Sequence, residues 1–389
     1  MKPAYRLSAW YFWYFTFIGA FQPYFSLYLQ AIGMSAERIA VLMSLGQLMR
    51  IGAPLCWSWL ADRGGRRVRI MVLSTLAALA SFSAVFLTRD FFGLLIALAV
   101  VHFFWSASLP LAEALTLDHL AGHPERYGRI RLWGSIGYIA AVTGTGWLLD
   151  VSPISALLWV SWALVFATSI CSLSLTETAA PAPVPHAMAA MDRAWRQPRV
   201  IFLLLSSLFM VAAHGALYVF YSIHLVAHGY DKTMVGLLWM LGVLAEILVF
   251  FYMPKLAVGA SLRGILLACF ALAALRFLLI GWAADVLWLL LLAQVLHGAS
   301  FGAHHAAAMM ALTHWFPSHQ QSRAQALYGS AAYGLGGLLG ALLAGVLWAS
   351  GGAGVAFSAA SALALIGLML VWHGIPGGPL AHVKPEAVR

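Results

Sequence analysis

Long apolar runs separated by short polar breaks dominate the chain. The runs lie near residues 7–30, 39–60, 69–88, 91–118, 131–149, 154–175, 200–226, 234–254, 264–284, 286–315, 324–349 and 354–373. About 20 apolar residues suffice to cross the hydrocarbon layer as a helix. The pattern therefore predicts an all-α membrane protein with twelve transmembrane helices. The first run, Leu7 to Gln30, is crowded with Trp, Tyr and Phe. The apolar core of a cleaved signal is only about 7–15 residues long, so this run is read as a retained span.

The only long connection, Thr176 to Arg199, carries Pro181, Pro183 and Pro185 and then turns basic. It divides the chain into a six-helix bundle at 1–175, a cytoplasmic linker at 176–199, a second six-helix bundle at 200–375 and a cytoplasmic tail at 376–389. Two six-helix halves with a substrate between them near the bilayer midplane is a transporter organisation.

Composition agrees with a lipid solvent. The 389 residues are 62% hydrophobic and 9% charged, against about a quarter charged in a soluble domain. The net charge of +9 is explained by orientation. Apart from Arg50 and Arg276 inside spans, only Arg38, Arg89 and Lys232 fall on one side; every other Lys and Arg falls on the other. Basic residues gather on the cytoplasmic side, so both termini are expected inside and no nucleic-acid partner is expected. Cys56, Cys171 and Cys269 all lie in apolar runs. They suggest neither a disulfide framework nor a metal site.

Charges at hydrocarbon depth are costly, and they normally face a protein interior or a wet cavity with a partner. Glu113 lies in the fourth run, and Arg129 and Arg131 open the fifth. Glu113 and Arg131 are expected to face each other across a cavity. An arginine fork also binds a carboxylate ligand bidentately. Gln22 and Tyr24 flank Pro23 in the first span, and Gln47 and Arg50 lie in the second; all four are candidate lining residues. In the second half, Glu246, Arg276 and His305 are the candidate proton-coupling group, because histidine titrates near neutral pH. His304, His297, His214 and His224 read first as packing residues. Gly334, Gly336, Gly337, Gly340 and Gly345 read as a close-packing helix surface.

Two stretches carry a family resemblance. Ser58-Trp59-Leu60-Ala61-Asp62-Arg63-Gly64-Gly65-Arg66-Arg67 resembles the major facilitator signature G-x-L-A-D-R-x-G-R-R, with Ser58 in place of the first glycine. The resemblance implies the major facilitator fold, two pseudo-symmetric six-helix bundles, and a cytoplasmic gate formed by Ser58, Asp62, Arg63, Gly65, Arg66 and Arg67. The stretch Tyr127-Gly128-Arg129-Ile130-Arg131-Leu132-Trp133-Gly134-Ser135, with Pro110 to Leu115 before it, resembles 3-phenylpropionate/proton symporters and their lactose-permease and nucleoside-symporter relatives. There the carboxylate and second arginine pair and contact the substrate, a role carried over to Glu113 and Arg131. His305-Ala306-Ala307-Ala308-Met309 resembles the same branch.

These readings imply a proton-coupled transporter of a small organic solute, an aromatic or other organic acid. It would work by alternating access, as a monomer in a bacterial inner membrane, with the proton as coupling ion and no other cofactor. A sugar or nucleoside substrate is the first alternative and drug efflux the second. A receptor with a transporter fold ranks below both. A membrane enzyme ranks last: no H-E-x-x-H ligand motif is present, so no metal is expected.

Overall fold

The structure is a computed structural model. It describes residues 3–64, 66–120, 123, 126–178 and 195–378, without the side chains of Asp62, Ser318 and His319. The gate positions Asp62 (its side chain) and Gly65, most of the linker and the end of the tail lie outside the described residues.

The described residues form helices joined by short connections, with no β-strand among them. In chain order the helices are α1 (Pro3–Ala31), α2 (Ala36–Gly64), α3 (Arg67–Ser83), α4 (Phe91–Trp105), α5 (Ser108–His119), α6 (Tyr127–Val151) and α7 (Ala156–Leu173). After the linker come α8 (Pro198–Ala213), α9 (Gly215–Ala227), α10 (Lys232–Leu256), α11 (Leu262–Trp282), α12 (Leu287–His297), α13 (Ala303–Trp315), α14 (Ser318–Tyr328) and α15 (Gly337–Gly374). Wider π-turns join α12 to α13 (Gly298–Gly302) and α14 to α15 (Gly329–Gly336).

Among the described residues, nine helical runs are long and apolar enough to cross a membrane. Helices α1 and α6 fall outside that set: the many Trp and Tyr of α1 and the arginines, glycines and threonines of α6 lower their hydropathy. The run Gln320–Gly374 holds 55 residues, about 80 Å of helix at 1.5 Å per residue and far more than one bilayer crossing. It breaks at Gly352, whose φ of 69° suits a residue without Cβ. That break falls in the turn expected between 349 and 354. Four expected single spans are interrupted: 91–118 between α4 and α5, 200–226 at His214, 286–315 at the first π-turn and 324–349 at the second.

Helix ends follow local chemistry. Asp90 caps α4 by accepting from the Gly93 N–H at 2.9 Å, and Ser261 caps α11 through Gly264 N–H at 3.0 Å. Pro198 opens α8, where its missing N–H costs nothing.

The chain divides into two compact units: residues 1–183 with 221–240, and residues 184–220 with 241–389. In the first unit, α1 is the central helix, with Trp10, Tyr11, Tyr24 and Phe25 buried. Its contact with α6 depends on glycine. A methyl group at Gly137 would overlap the Phe12 carbonyl, and one at Gly19 would stand 2.5 Å from the Tyr138 carbonyl oxygen. Between apolar helices in lipid, such close backbone approach supplies van der Waals contact in place of a hydrophobic driving force. In the second unit, α8 packs on α15 and the second π-turn the same way. A methyl on Gly336 would sit 2.6 Å from the Leu208 carbonyl oxygen, and one on Gly340 would overlap that of Ala212. Two of the five glycines expected to pack are therefore seen against backbone.

Candidate functional site

Among the described residues, each unit holds a polar cluster set among apolar helices. In the first unit, α5 presents Glu113 and the first turns of α6 present Tyr127 and Arg131. Glu113 shares a hydrogen bond with Tyr127 and lies in the field of Arg131. The Arg131 guanidinium lies 3.9 Å above the centre of the Phe15 ring and 5.6 Å from that of Tyr11. A cation over an aromatic face is attracted to the ring quadrupole. Gly134 makes the pose possible. A methyl group there would be 2.7 Å from the Phe15 ring and 2.8 Å from Arg131 Nη1. Tyr11 hydroxyl and Thr116 Oγ1 are 3.3 Å apart, which ties α1 to α5 one turn from Glu113.

Of the other expected lining residues, Arg50 is exposed on α2 and acts electrostatically on Tyr14 and His102. Tyr14 is stacked between Trp10 at 4.9 Å and Trp105 at 4.7 Å. Gln22 and Gln47 are half-buried. Tyr24 is placed elsewhere. Its hydroxyl donates to the carbonyls of Val142 at 2.6 Å and Lys232 at 3.1 Å. It stands ten residues beyond Tyr14 on the same helix, about 15 Å along the axis. The structure does not bring it to Glu113.

The gate motif is held by partners the sequence does not point out. Arg67 forms an ion pair with Asp118 at the end of α5, and Thr178 hydroxyl donates to the same carboxylate at 3.3 Å. Glu177 accepts from the N–H groups of Val68 and Arg69 at 2.8 and 3.2 Å, capping α3. Arg63 lies 4.1 Å over the Trp59 ring. Ser58 is half-buried and Arg66 exposed. The chain has only 13 Asp and Glu against 22 Lys and Arg. A partner search over that short acidic set would have found Asp118.

The second unit brings Glu246, Arg276 and His305 together. Arg276 is fully buried. Its Nε donates to the Ala293 carbonyl at 2.9 Å, and its Nη1 reaches His214 Nε2 at 3.1 Å. His214 Nδ1 is 2.8 Å from the Met210 carbonyl. A carbonyl only accepts, so Nδ1 carries the proton and Nε2 receives the Arg276 N–H. Glu246 Oε1 is 3.0 Å from His297 Nε2 and lies in the fields of His305 and Arg276. His305 Nδ1 is 3.1 Å from the Tyr333 hydroxyl and 3.5 Å from that of Tyr328. His304 is buried against Phe270. Neither tyrosine stands out in the sequence, where His214 and His297 read first as packing groups. Among the described residues, no group of His, Cys, Asp and Glu could hold a metal ion.

The sequence profile of the MFS_1 like family matches residues 4–359. The chain belongs to that family. This major facilitator protein is therefore a membrane transporter and not an enzyme. The transporter is 30% identical over 367 residues to a probable 3-phenylpropionic acid transporter of Escherichia coli (strain K12), across 90% of this chain and 92% of that one. It is 28% identical to a maltose permease of Geobacillus stearothermophilus, across 93% and 92%. Among solved structures it resembles the nucleoside transporter NupG, with a TM-score of 0.81 and 15% identity over 96% of this transporter and 98% of that one. That likeness concerns the fold.

Proposed function

We propose that the protein is a proton-coupled symporter of a small organic acid, aromatic acids foremost, working as a monomer by alternating access. It has twelve spans in two pseudo-symmetric bundles, and both termini face the cytoplasm of a bacterial inner membrane. The observation that carries the reading is the second-unit cluster: a half-buried carboxylate, Glu246, on His297 and in the field of Arg276 and His305. A carboxylate held between histidines and an arginine at this depth has groups to take and pass a proton near neutral pH. The Glu113–Tyr127–Arg131 group supplies the substrate contacts. Arg131 offers a planar fork for a carboxylate, and the Phe15 face beneath it suits an aromatic ring. The 30% identity to a probable 3-phenylpropionic acid transporter points to the same class.

The second reading is a sugar or nucleoside symporter. It is favoured by the maltose permease relative and by the hydroxyl-rich edge of Tyr11, Thr116 and Tyr127 around Glu113.

Purified protein in proteoliposomes, given 3-phenylpropionate, maltose or uridine under an imposed pH gradient, tests both. Accumulation of 3-phenylpropionate that a protonophore collapses supports the first reading; accumulation of maltose or uridine instead replaces it with the second. Glu246→Gln and His305→Ala should abolish gradient-driven uptake and spare substrate exchange. Unchanged proton coupling in both variants would refute the assigned coupling group.

A further inference from the structure

Tyr328 and Tyr333 are five residues apart, yet both hydroxyls reach the same nitrogen of His305. In an α-helix, residues five apart are rotated about 140° from each other. The π-turn Gly329–Gly336 starts just after Tyr328 and contains Tyr333. Its bonds close at i→i+5, so residues five apart stand nearly one above the other. The facing helix has a matching device. His297 and His305 are eight residues apart and both act on Glu246. On a straight α-helix they would point about 80° apart. The π-turn Gly298–Gly302 takes up about one residue of rotation, which returns them to one face. Gly298 lets that turn sit against Ala245, since a methyl there would overlap the Ala245 backbone.

The Tyr333 hydroxyl is the nearer of the two, at 3.1 Å from His305 Nδ1 against 3.5 Å for Tyr328. A ring nitrogen of neutral imidazole has a single lone pair. The nearer hydroxyl takes that lone pair, with Tyr333 donating to His305 Nδ1 and the Tyr328 hydroxyl standing behind it.

We propose that Tyr333, backed by Tyr328 and set in place by the paired π-turns, is a positioning residue for the proton site: it fixes His305 as the Nε2–H tautomer beside Glu246. This rests on the proton-coupling reading above. The groups facing His305 are Glu246 from α10, Arg276 from α11 through Glu246, His297 from α12, His304 from its own helix α13, Tyr328 from the end of α14 and Tyr333 from the second π-turn. Phe250 supplies an apolar edge, 6.4 Å between ring centres. A hydroxyl donated to Nδ1 favours the uncharged ring. Without it the ring takes a proton at higher pH, and the new cation favours ionised Glu246.

Infrared titration of the purified full-length protein tests this without any substrate. The protonated-carboxyl band lost in Glu246→Gln reports Glu246. In Tyr333→Phe its midpoint should move to lower pH by about half a unit or more, with a smaller shift the same way in Tyr328→Phe and none in the exposed-site control Tyr5→Phe. Deleting Ala331 removes the extra residue of the second π-turn; it should carry Tyr333 off His305 and reproduce the Tyr333→Phe midpoint. An unmoved midpoint in Tyr333→Phe and Tyr328→Phe, with monodisperse protein, overturns the positioning role while leaving proton coupling standing. A Glu246 band that never titrates in the unaltered protein overturns the coupling reading and this inference with it.

Discussion

Glu246 Oε1 and His297 Nε2 stand 3.0 Å apart, with about a fifth of the Glu246 side chain still accessible. The pair is thus neither sealed in nor open to bulk water. Removing one partner leaves the other without its bond at low dielectric, at a cost of about 1–3 kcal/mol. His297→Ala should lower the unfolding temperature in detergent and cut gradient-driven uptake about tenfold or more. His297→Gln, which keeps a donor but cannot titrate, should regain the unfolding temperature and not the uptake. Thermal unfolding followed by tryptophan fluorescence, beside proteoliposome uptake, separates the two effects.

Arg131 should not tolerate lysine. A lysine keeps the charge and loses both the planar fork and the stacking on Phe15. Arg131→Lys is expected to lose about tenfold or more in apparent substrate affinity, measured by uptake at varied substrate concentration. Gly134→Ala leaves both side chains in place and inserts a methyl between them. It should reproduce most of that loss with little change in unfolding temperature.

How much of the fold and the site is legible in the sequence depends on the period of the signal. The long apolar runs and the basic asymmetry mark the helices, and the Asp62–Arg67 stretch marks the family, because each is a contiguous pattern. The depth of Glu113, Arg131, Glu246 and Arg276 is legible too, since a charge in an apolar run stands out. Their partners are not. Tyr127, His214 and His297 reach their partners only through helix breaks and a π-turn, which leave no composition signature beyond ordinary glycines. Tyr24 shows the opposite error. Its place beside Pro23 reads as a cavity wall, but α1 continues unbroken past Pro23, and the hydroxyl satisfies backbone carbonyls instead.

Acid should weaken one cap outside the apolar spans. Asp90 lies in the loop before α4, and the Thr88 hydroxyl and then the Gly93 N–H hold its carboxyl below the usual carboxylate range. A group whose folded pKa is lowered contributes stability above its unfolded value and loses it as pH falls through the folded one. Asp90→Ala should therefore unfold at a lower temperature than the unaltered protein near neutral pH. The difference should shrink as pH drops below about 4. Unfolding temperatures of the two proteins across pH 3 to 7, as round working limits near the carboxylate range, check it.

Asp150 offers a cap between elements distant in sequence. Its two carboxylate oxygens accept from the N–H groups of Lys232 and Thr233 at 2.9 and 2.8 Å and from the Thr233 hydroxyl at 2.6 Å. They cover the first orphan donors of α10 from the end of α6. Asp150→Ala should cost about 1 kcal/mol, the usual worth of such a cap. Asp150→Asn should cost less, because an amide oxygen still accepts. Thermal unfolding of the three proteins side by side gives the order.

The glycines on α6 give the sharpest contrast in packing. Gly137 and Gly144 lie one heptad apart on the same helix, so composition alone treats them alike. A methyl group at Gly137 would overlap the Phe12 carbonyl, a backbone atom that cannot step aside, while one at Gly144 meets nothing within 4 Å. Overpacking of this kind costs about 1–3 kcal/mol, whereas replacing an unhindered helical glycine by alanine gains about 0.5–1 kcal/mol. Gly137→Ala is expected to lower the unfolding temperature and Gly144→Ala to leave it unchanged or raise it. Equal effects from the two substitutions would mean that α1 and α6 are not in backbone contact at Gly137, and the framework that sets Phe15 beneath Arg131 would have to be redrawn.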